Sequence, residues 1–362
     1  MPESPAVPPA PIRLLPHPRR LVELGPHNGA HRVAIRAGIA IAVPLVTLYL
    51  TGHIDLALYA VFGAFTALYG RSHTHLTRLR MQATAGLALV ACVVIGTAIG
   101  VSPSREWLVV PVAAVVAGVA TVLSDALHWH PPGALFFVFA LAACASVPSE
   151  PRQILIAFLL AAASAVFALV VSTAGLALPA ARRRTPTNIV PSLGRALARP
   201  GALVKVLSVV AAVAVAGAVP TATGLGHPYW AMVSAVAALS AADVTGHLVR
   251  AGHRVLGTFA GLALAAALLA VSSNALVLIV FVVLLQMAAE LFVLRNYGLT
   301  MVFVTPLALI MSYLAFPHDE WALVRDRALE TLLGAAVGIA VSLTAAALAR
   351  AAPSRGSRAP RA

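Results

Sequence analysis

Charge is what this chain has least of. Only 10% of its 362 residues are Asp, Glu, Lys or Arg, against about 25% in a soluble domain, so it lacks the polar material to coat a water-facing globule. Lysine is almost missing: Lys205 stands alone, and the remaining basic side chains are arginines. Cysteine is limited to Cys92 and Cys144, both inside apolar stretches and without CxxC spacing, which argues against a disulfide and against a thiolate metal site. Absent as well are a GxSxG elbow, a Walker loop, HExxH, and GxGxxG in a strand–helix context. The chain is therefore read as no enzyme, with no catalytic, cofactor or metal site. An ATP-driven pump would need its motor from a partner. The formal net charge of +13 does not point to nucleic acid, because the arginines sit mainly between apolar segments, as a positive-inside bias requires.

What is present is grease in long runs. Hydrophobic residues make up 60%, mean hydropathy is +0.92, and the apolar stretches repeatedly reach the roughly 17–25 residues a helix needs to cross a bilayer. The expected fold is all-α and integral to the membrane, with about twelve spans over 35–51, 54–70, 82–100, 107–124, 132–147 and 153–178, then 203–219, 228–243, 255–271, 275–293, 297–315 and 328–349. Residues 1–32 read as a proline-rich disordered tail without the apolar core of a secretory signal. The two membrane units are 33–178 and 203–350. Residues 179–202 form a basic linker between them, and 351–362 a basic tail.

Arginine placement orients the spans. With the N-terminus inside and sides alternating, Arg105, Arg152, Arg325 and Arg327 are the only basic residues outside, leaving 25 − 4 = 21 inside. That asymmetry predicts an even span count with both termini cytoplasmic in a cell inner membrane.

The two units resemble each other. Residues 57–68 overlay 228–239, Arg80 and Thr84 overlay Arg254 and Thr258, and Asp125, His130 and Gly133 overlay Glu290, Arg295 and Gly298. Even-numbered units share one orientation, which predicts two tandem six-helix repeats about an axis along the membrane normal. The axis offers a pathway, a pocket or a packed seam.

Ionisable groups at membrane depth cost roughly 2.5–3.5 kcal/mol on insertion scales, so each needs a partner, water or a role. Glu290 with Gln286 is the leading candidate, and Asp125 takes the matching place in the first unit. Two readings stand: a pair of acids that carry protons or gate a pathway, or ion bridges to Arg254 and Arg250 and to Arg80 and Arg78. Arg36 and Lys205 occupy corresponding places in the first and seventh spans. They either draw an anionic substrate into a vestibule or snorkel to the phosphate layer. Arg327 and Glu330 are spaced to pair on one helix. His73 with His75, and His128 with His130, give HxH spacing without a third metal ligand. Gly96-x3-Gly100, Gly257-x3-Gly261 and Gly334-x3-Gly338 permit close helix approach. Pro44 and Pro306 interrupt spans, and the Thr305 hydroxyl is placed to satisfy a carbonyl that Pro306 frees.

Gly226-His227-Pro228-Tyr229-Trp230-Ala231, Arg254-Val255-Leu256-Gly257-Thr258, and Arg295-Asn296-Tyr297-Gly298 followed by Phe303-Val304-Thr305-Pro306-Leu307 resemble the fusaric acid resistance (FUSC) family, which is similar to aromatic acid exporters and aluminium-activated malate transporters. The resemblance covers roughly 200–350. It implies six-helix membrane units that move organic anions, often aromatic carboxylates, out of the cytoplasm, and it draws Tyr297 into the candidate set. The cytoplasmic domain that commonly follows each unit has no counterpart here. The expectation is a secondary permease exporting small organic or aromatic acids, with a passive anion channel or a non-transporting scaffold as alternatives. Its partners are the lipid bilayer and a small organic anion, and it forms a homo-oligomer or a pseudo-dimer within one chain.

Overall fold

The computed structural model describes residues 19–27, 29–71, 73–174, 191–241, 243–315 and 320–351. Twelve principal helices carry the described chain: α1 Ala30–Leu50, α2 Ile54–Leu68, α3 His75–Gly100, α4 Arg105–Leu127, α5 Leu135–Ser146, α6 Pro151–Thr173, α7 Ala202–Thr223, α8 Tyr229–Ala238, α9 Val244–Val271, α10 Ala275–Phe292, α11 Tyr297–Ala315 and α12 Glu320–Ala351. Nine of them, among the described residues, are long and apolar enough to cross a bilayer. In none of the nine is more than 56% of the apolar stretch buried, and side chains such as Leu87, Leu203 and Val271 point outward at 70–74% exposure. A surface of that kind is stable against lipid tails and not against water. The chain is a multi-pass membrane protein.

Three of the twelve expected spans are helices shorter than a bilayer crossing needs. α2, α5 and α8 occupy the expected positions 54–70, 132–147 and 228–243, but the latter two have only 12 and 10 residues. At 1.5 Å per residue that is about 18 and 15 Å, against a hydrocarbon core of about 30 Å. The reason is their placement. Every residue of α8 and most of α5 is buried in protein, and backbone that ends within the bundle is tolerated where neighbouring helices enclose it.

Helix ends follow local rules. Pro151 opens α6 behind a capping box of Glu150 and Gln153, and the Asn274 side chain accepts from the first-turn N–H groups of α10. The GxxxG spacings mark real contacts. Gly96 seats α3 on the Leu141 carbonyl of α5, Gly257 seats α9 on the Gly298 carbonyl of α11, and Gly334 seats α12 on the Ala231 carbonyl of α8. A Cβ at any of these would collide with backbone. Pairings recur along the chain: α3 packs on α5 and α6 as α9 packs on α11 and α12, while α4 packs on α7 and α10 on α1 across the middle. Both cysteines are buried and free.

Loops gather at two ends. Residues 69–71, 73–74, 128–134, 239–241 and 293–296 lie at one, here called basal, where the Gly70 N–H donates to the His130 carbonyl. Residues 101–104, 147–150 and 224–228 lie at the other, apical, end, where the Ser149 N–H donates to the Gly100 carbonyl.

The tail expected over 1–32 is partly structured. A short helix Arg19–Val22 leads into a segment tied to the basal end: the Gly25 N–H donates to the Arg295 carbonyl, and the Asn296 amide donates to the carbonyls of Leu21 and Glu23. Residues 1–18, most of the linker (through residue 190) and the tail 352–362 lie outside the described residues. The remainder of the linker holds a short helix, Leu193–Ala198, capped by the Ser192 hydroxyl.

Candidate functional site

Between the first and second halves lies a cavity of about 280 Å³. Its walls come from α2, α5, α8, α9, α10, α11 and α12, with the basal loops forming its mouth. Four arginines, Arg71, Arg250, Arg254 and Arg327, face one carboxylate, Glu290. Phe65, Phe136, Phe139 and Tyr297 supply aromatic walls.

Each cation is held differently. Arg71, from the loop after α2, forms an ion pair with the Glu290 carboxylate, and its second nitrogen donates to the Glu290 carbonyl at 2.9 Å. Gln286, one turn earlier on α10, donates to the other carboxylate oxygen at 3.2 Å. Arg254 is 2% exposed. Its Nε donates to the Ser234 hydroxyl at 3.0 Å and one terminal nitrogen to the Tyr297 hydroxyl at 3.2 Å, while the other terminal nitrogen has no partner. Arg250 lies 4.2 Å above the Tyr297 ring, and Arg327 lies 5.0 Å above Trp230. Aromatic faces and neutral hydroxyls steady a guanidinium while leaving its charge uncancelled. Counting the arginines and the carboxylate, the lining carries four positive charges against one negative, a net of +3. Low-dielectric walls focus such a field on an entering anion.

Residues 212–341 match the sequence model of the fusaric acid resistance protein-like family. This fusaric acid resistance-like segment contains Arg250, Arg254, Gln286, Glu290, Tyr297 and Arg327, most of the polar lining of the cavity. The chain is also similar to a Bacillus subtilis (strain 168) protein described as "Uncharacterized membrane protein YvaC", at 25% identity over 142 residues. That alignment covers 39% of this chain and 22% of the relative, so the chain spans about a fifth of that protein's length. No solved structure matches.

Of the residues singled out in the sequence, Glu290, Gln286, Arg254 and Tyr297 come together in the cavity. Arg36 sits just behind it, donating to the Ala67 carbonyl at 3.4 Å and close enough to Arg71 and Glu290 to interact electrostatically. The others are elsewhere. Asp125 and Lys205 pair with each other at 2.7 Å near the basal end, partly in the open, so neither is a vestibule charge and Asp125 is no twin of Glu290. Arg80 is exposed on α3 and touches neither acid. The Thr305 hydroxyl, expected to satisfy a carbonyl, is buried against α9 without a hydrogen bond. The bridges expected from Glu290 to Arg254 or Arg250 do not form, because the loop arginine Arg71 takes that place. Arg327 and Glu330 do not pair either: Glu330 accepts from the His227 N–H at 2.9 Å. Among the described residues no group of three potential metal ligands occurs.

Proposed function

We propose that the protein is a permease for small organic anions, preferentially single-ring aromatic carboxylates, which it exports from the cytoplasm. The observation that carries this reading is the cavity's composition: a net lining charge of +3, with three of its four guanidiniums in no ion pair among the described residues, set among aromatic rings. Its volume favours a small cargo, since about 280 Å³ sits at the lower edge of the roughly 300–1,000 Å³ typical of small-molecule sites. The family likeness of residues 212–341 supports transport over catalysis.

The bundle is two tandem six-helix repeats, α1–α6 and α7–α12, of like orientation. In support, the same helix pairs pack within each half, and the pairs that cross the middle exchange places, as a two-fold relation requires. The basal end faces the cytoplasm, in keeping with the arginine count, so the cavity opens inward.

The test is efflux from proteoliposomes holding the purified chain and loaded with labelled benzoate, fusaric acid, acetate or benzylamine. Protein-dependent efflux of the two aromatic acids, weaker efflux of acetate and none of the amine is the expected order. Equal, protein-independent leakage of all four would overturn the reading.

A further inference from the structure

A second, smaller cavity of about 140 Å³ lies at the apical end, lined among others by Arg105, Ala142, Ser146 and Tyr229. The two cavities share walls. On α5, Leu135, Phe136 and Phe139 line the basal cavity while Ala142, Ala145 and Ser146 line the apical one. Those positions recur at intervals of three and four, so they form one helical stripe. On α8, Tyr229 lines the apical cavity and Val233, one turn on, lines the basal one. α5 and α8 pack against each other across the middle of the molecule, and both are too short to span a bilayer. The two linings meet at Phe139 of the basal cavity and Tyr229 of the apical one, which stack with ring centroids 6.2 Å apart and planes at 19°.

We infer that the two cavities are the halves of one route through the protein, and that the Phe139–Tyr229 pair is the barrier that closes it. The inference rests on the transport reading for its purpose but not for its test. The surroundings suit a movable plug. Tyr229 is backed by Trp230 at 5.2 Å and by His227 at 6.0 Å, and Phe139 by Phe62 at 5.0 Å. Ring-on-ring contacts of this kind are each worth only about 0.5–1.5 kcal/mol, so Phe139 can leave its neighbours more readily than Arg71 can leave Glu290. A flat aromatic acid held below the layer meets rings with which it can stack as it passes. α5 carries only alanines and a serine beyond Phe139 on this stripe, so one ring's displacement opens a continuous gap into the apical cavity.

The experiment measures access, with no cargo involved. Val233→Cys places a thiol in the basal cavity, and the native Cys92 and Cys144, both buried, provide the unlabelled background. A membrane-impermeant thiol reagent is applied to vesicles of either orientation. In Val233→Cys alone, labelling is expected from the basal face only. Adding Phe139→Ala should raise labelling from the apical face at least tenfold and leave basal labelling unchanged. Tyr229→Leu removes the opposing ring from the other helix, so a collapse in one variant leaves the second to decide. Labelling that stays one-sided in a variant whose basal face still reacts would overturn the inference, as would apical labelling of Val233→Cys with both rings present. A chain that carries no anion can still pass this test, and a carrier of anions can still fail it.

Discussion

The net charge of the basal cavity is open to arithmetic manipulation, because Arg71 and Glu290 contribute opposite charges from the same ion pair. Glu290→Gln takes the lining from +3 to +4, Arg71→Gln takes it to +2, and the double variant returns it to +3 on Arg250, Arg254 and Arg327 alone. A sphere of about 280 Å³ has a radius of about 4 Å, which puts a bound carboxylate roughly 6 Å from any lining charge. At an effective dielectric of about 20, one unit charge at that distance is worth about 3 kcal/mol. Water in the cavity screens part of it, so a shift of tenfold to a hundredfold in Kd is expected per unit charge. Glu290→Gln should tighten benzoate binding by that factor, Arg71→Gln should weaken it, and the double variant should come back near the parent value. Stability behaves asymmetrically. Arg71→Gln strands a buried carboxylate, a loss of about 3–5 kcal/mol, whereas Glu290→Gln leaves Arg71 its bond to the residue-290 carbonyl and costs less. Calorimetric titration of the detergent-solubilised protein at low salt reads the affinities. A double variant as weak as Arg71→Gln would refute the field argument and make Arg71 a direct ligand.

Three further outcomes follow from the packing and the loops. Gly96→Leu should lower Tm through a cost of about 1–3 kcal/mol or more, since its side chain would meet the Leu141 carbonyl, while Gly194→Ala, with open space around it, should melt as the parent does. Lys205→Ala should change stability by about 1 kcal/mol at most and leave benzoate affinity unaltered in the same titrations, because the Lys205–Asp125 pair stands outside the cavity. At the cavity mouth, burial, with His130 and Arg78 close by, holds the His73 imidazole below its ordinary value of 6.5. The neutral ring therefore fits the fold better than the charged one. Its contribution is complete above about pH 6.5 and is lost as pH falls through the lower folded value, so the acid-side decline of Tm between pH 7 and 5 should be shallower in His73→Gln.

How far the sequence reveals this molecule depends on the range of the interaction involved. Hydropathy is a local sum, and the apolar helices among the described residues fall where it put apolar segments. How long a helix runs is not local: α8 reads as a full span by its greasiness, yet it is a 10-residue helix whose residues are all buried among its neighbours. The GxxxG spacings behaved well for the opposite reason, since a bare backbone patch on a helix has few uses besides close approach. Polar pairing was the hardest to foresee. The overlay of Asp125 on Glu290 rests on a shared spacing to a base and a glycine, which is a property of the sequence alone and says nothing of which cation lies across the gap. Arg71 looks like any loop arginine counted toward orientation, and no neighbour in sequence marks it as the partner of a residue 219 positions away.

That asymmetry between halves has a functional consequence. A perfectly two-fold seam would place like residues opposite each other, and like charges at the axis would repel with no cargo present. Here Arg254 of α9 is buried in the cavity while its counterpart Arg80 of α3 is exposed, and Glu290 faces inward while Asp125 is tied to Lys205. The positive lining is thus drawn mostly from the fusaric acid resistance-like half, and the first half contributes chiefly rings, with Arg71 as its one guanidinium. Dividing the labour in this way means that, on the proposed reading, one carboxylate and one ring are met by different helices at once. On the proposed repeat reading, two identical units would offer only a pair of like half-sites, whereas the unlike halves seen here bring guanidiniums and rings to one cavity.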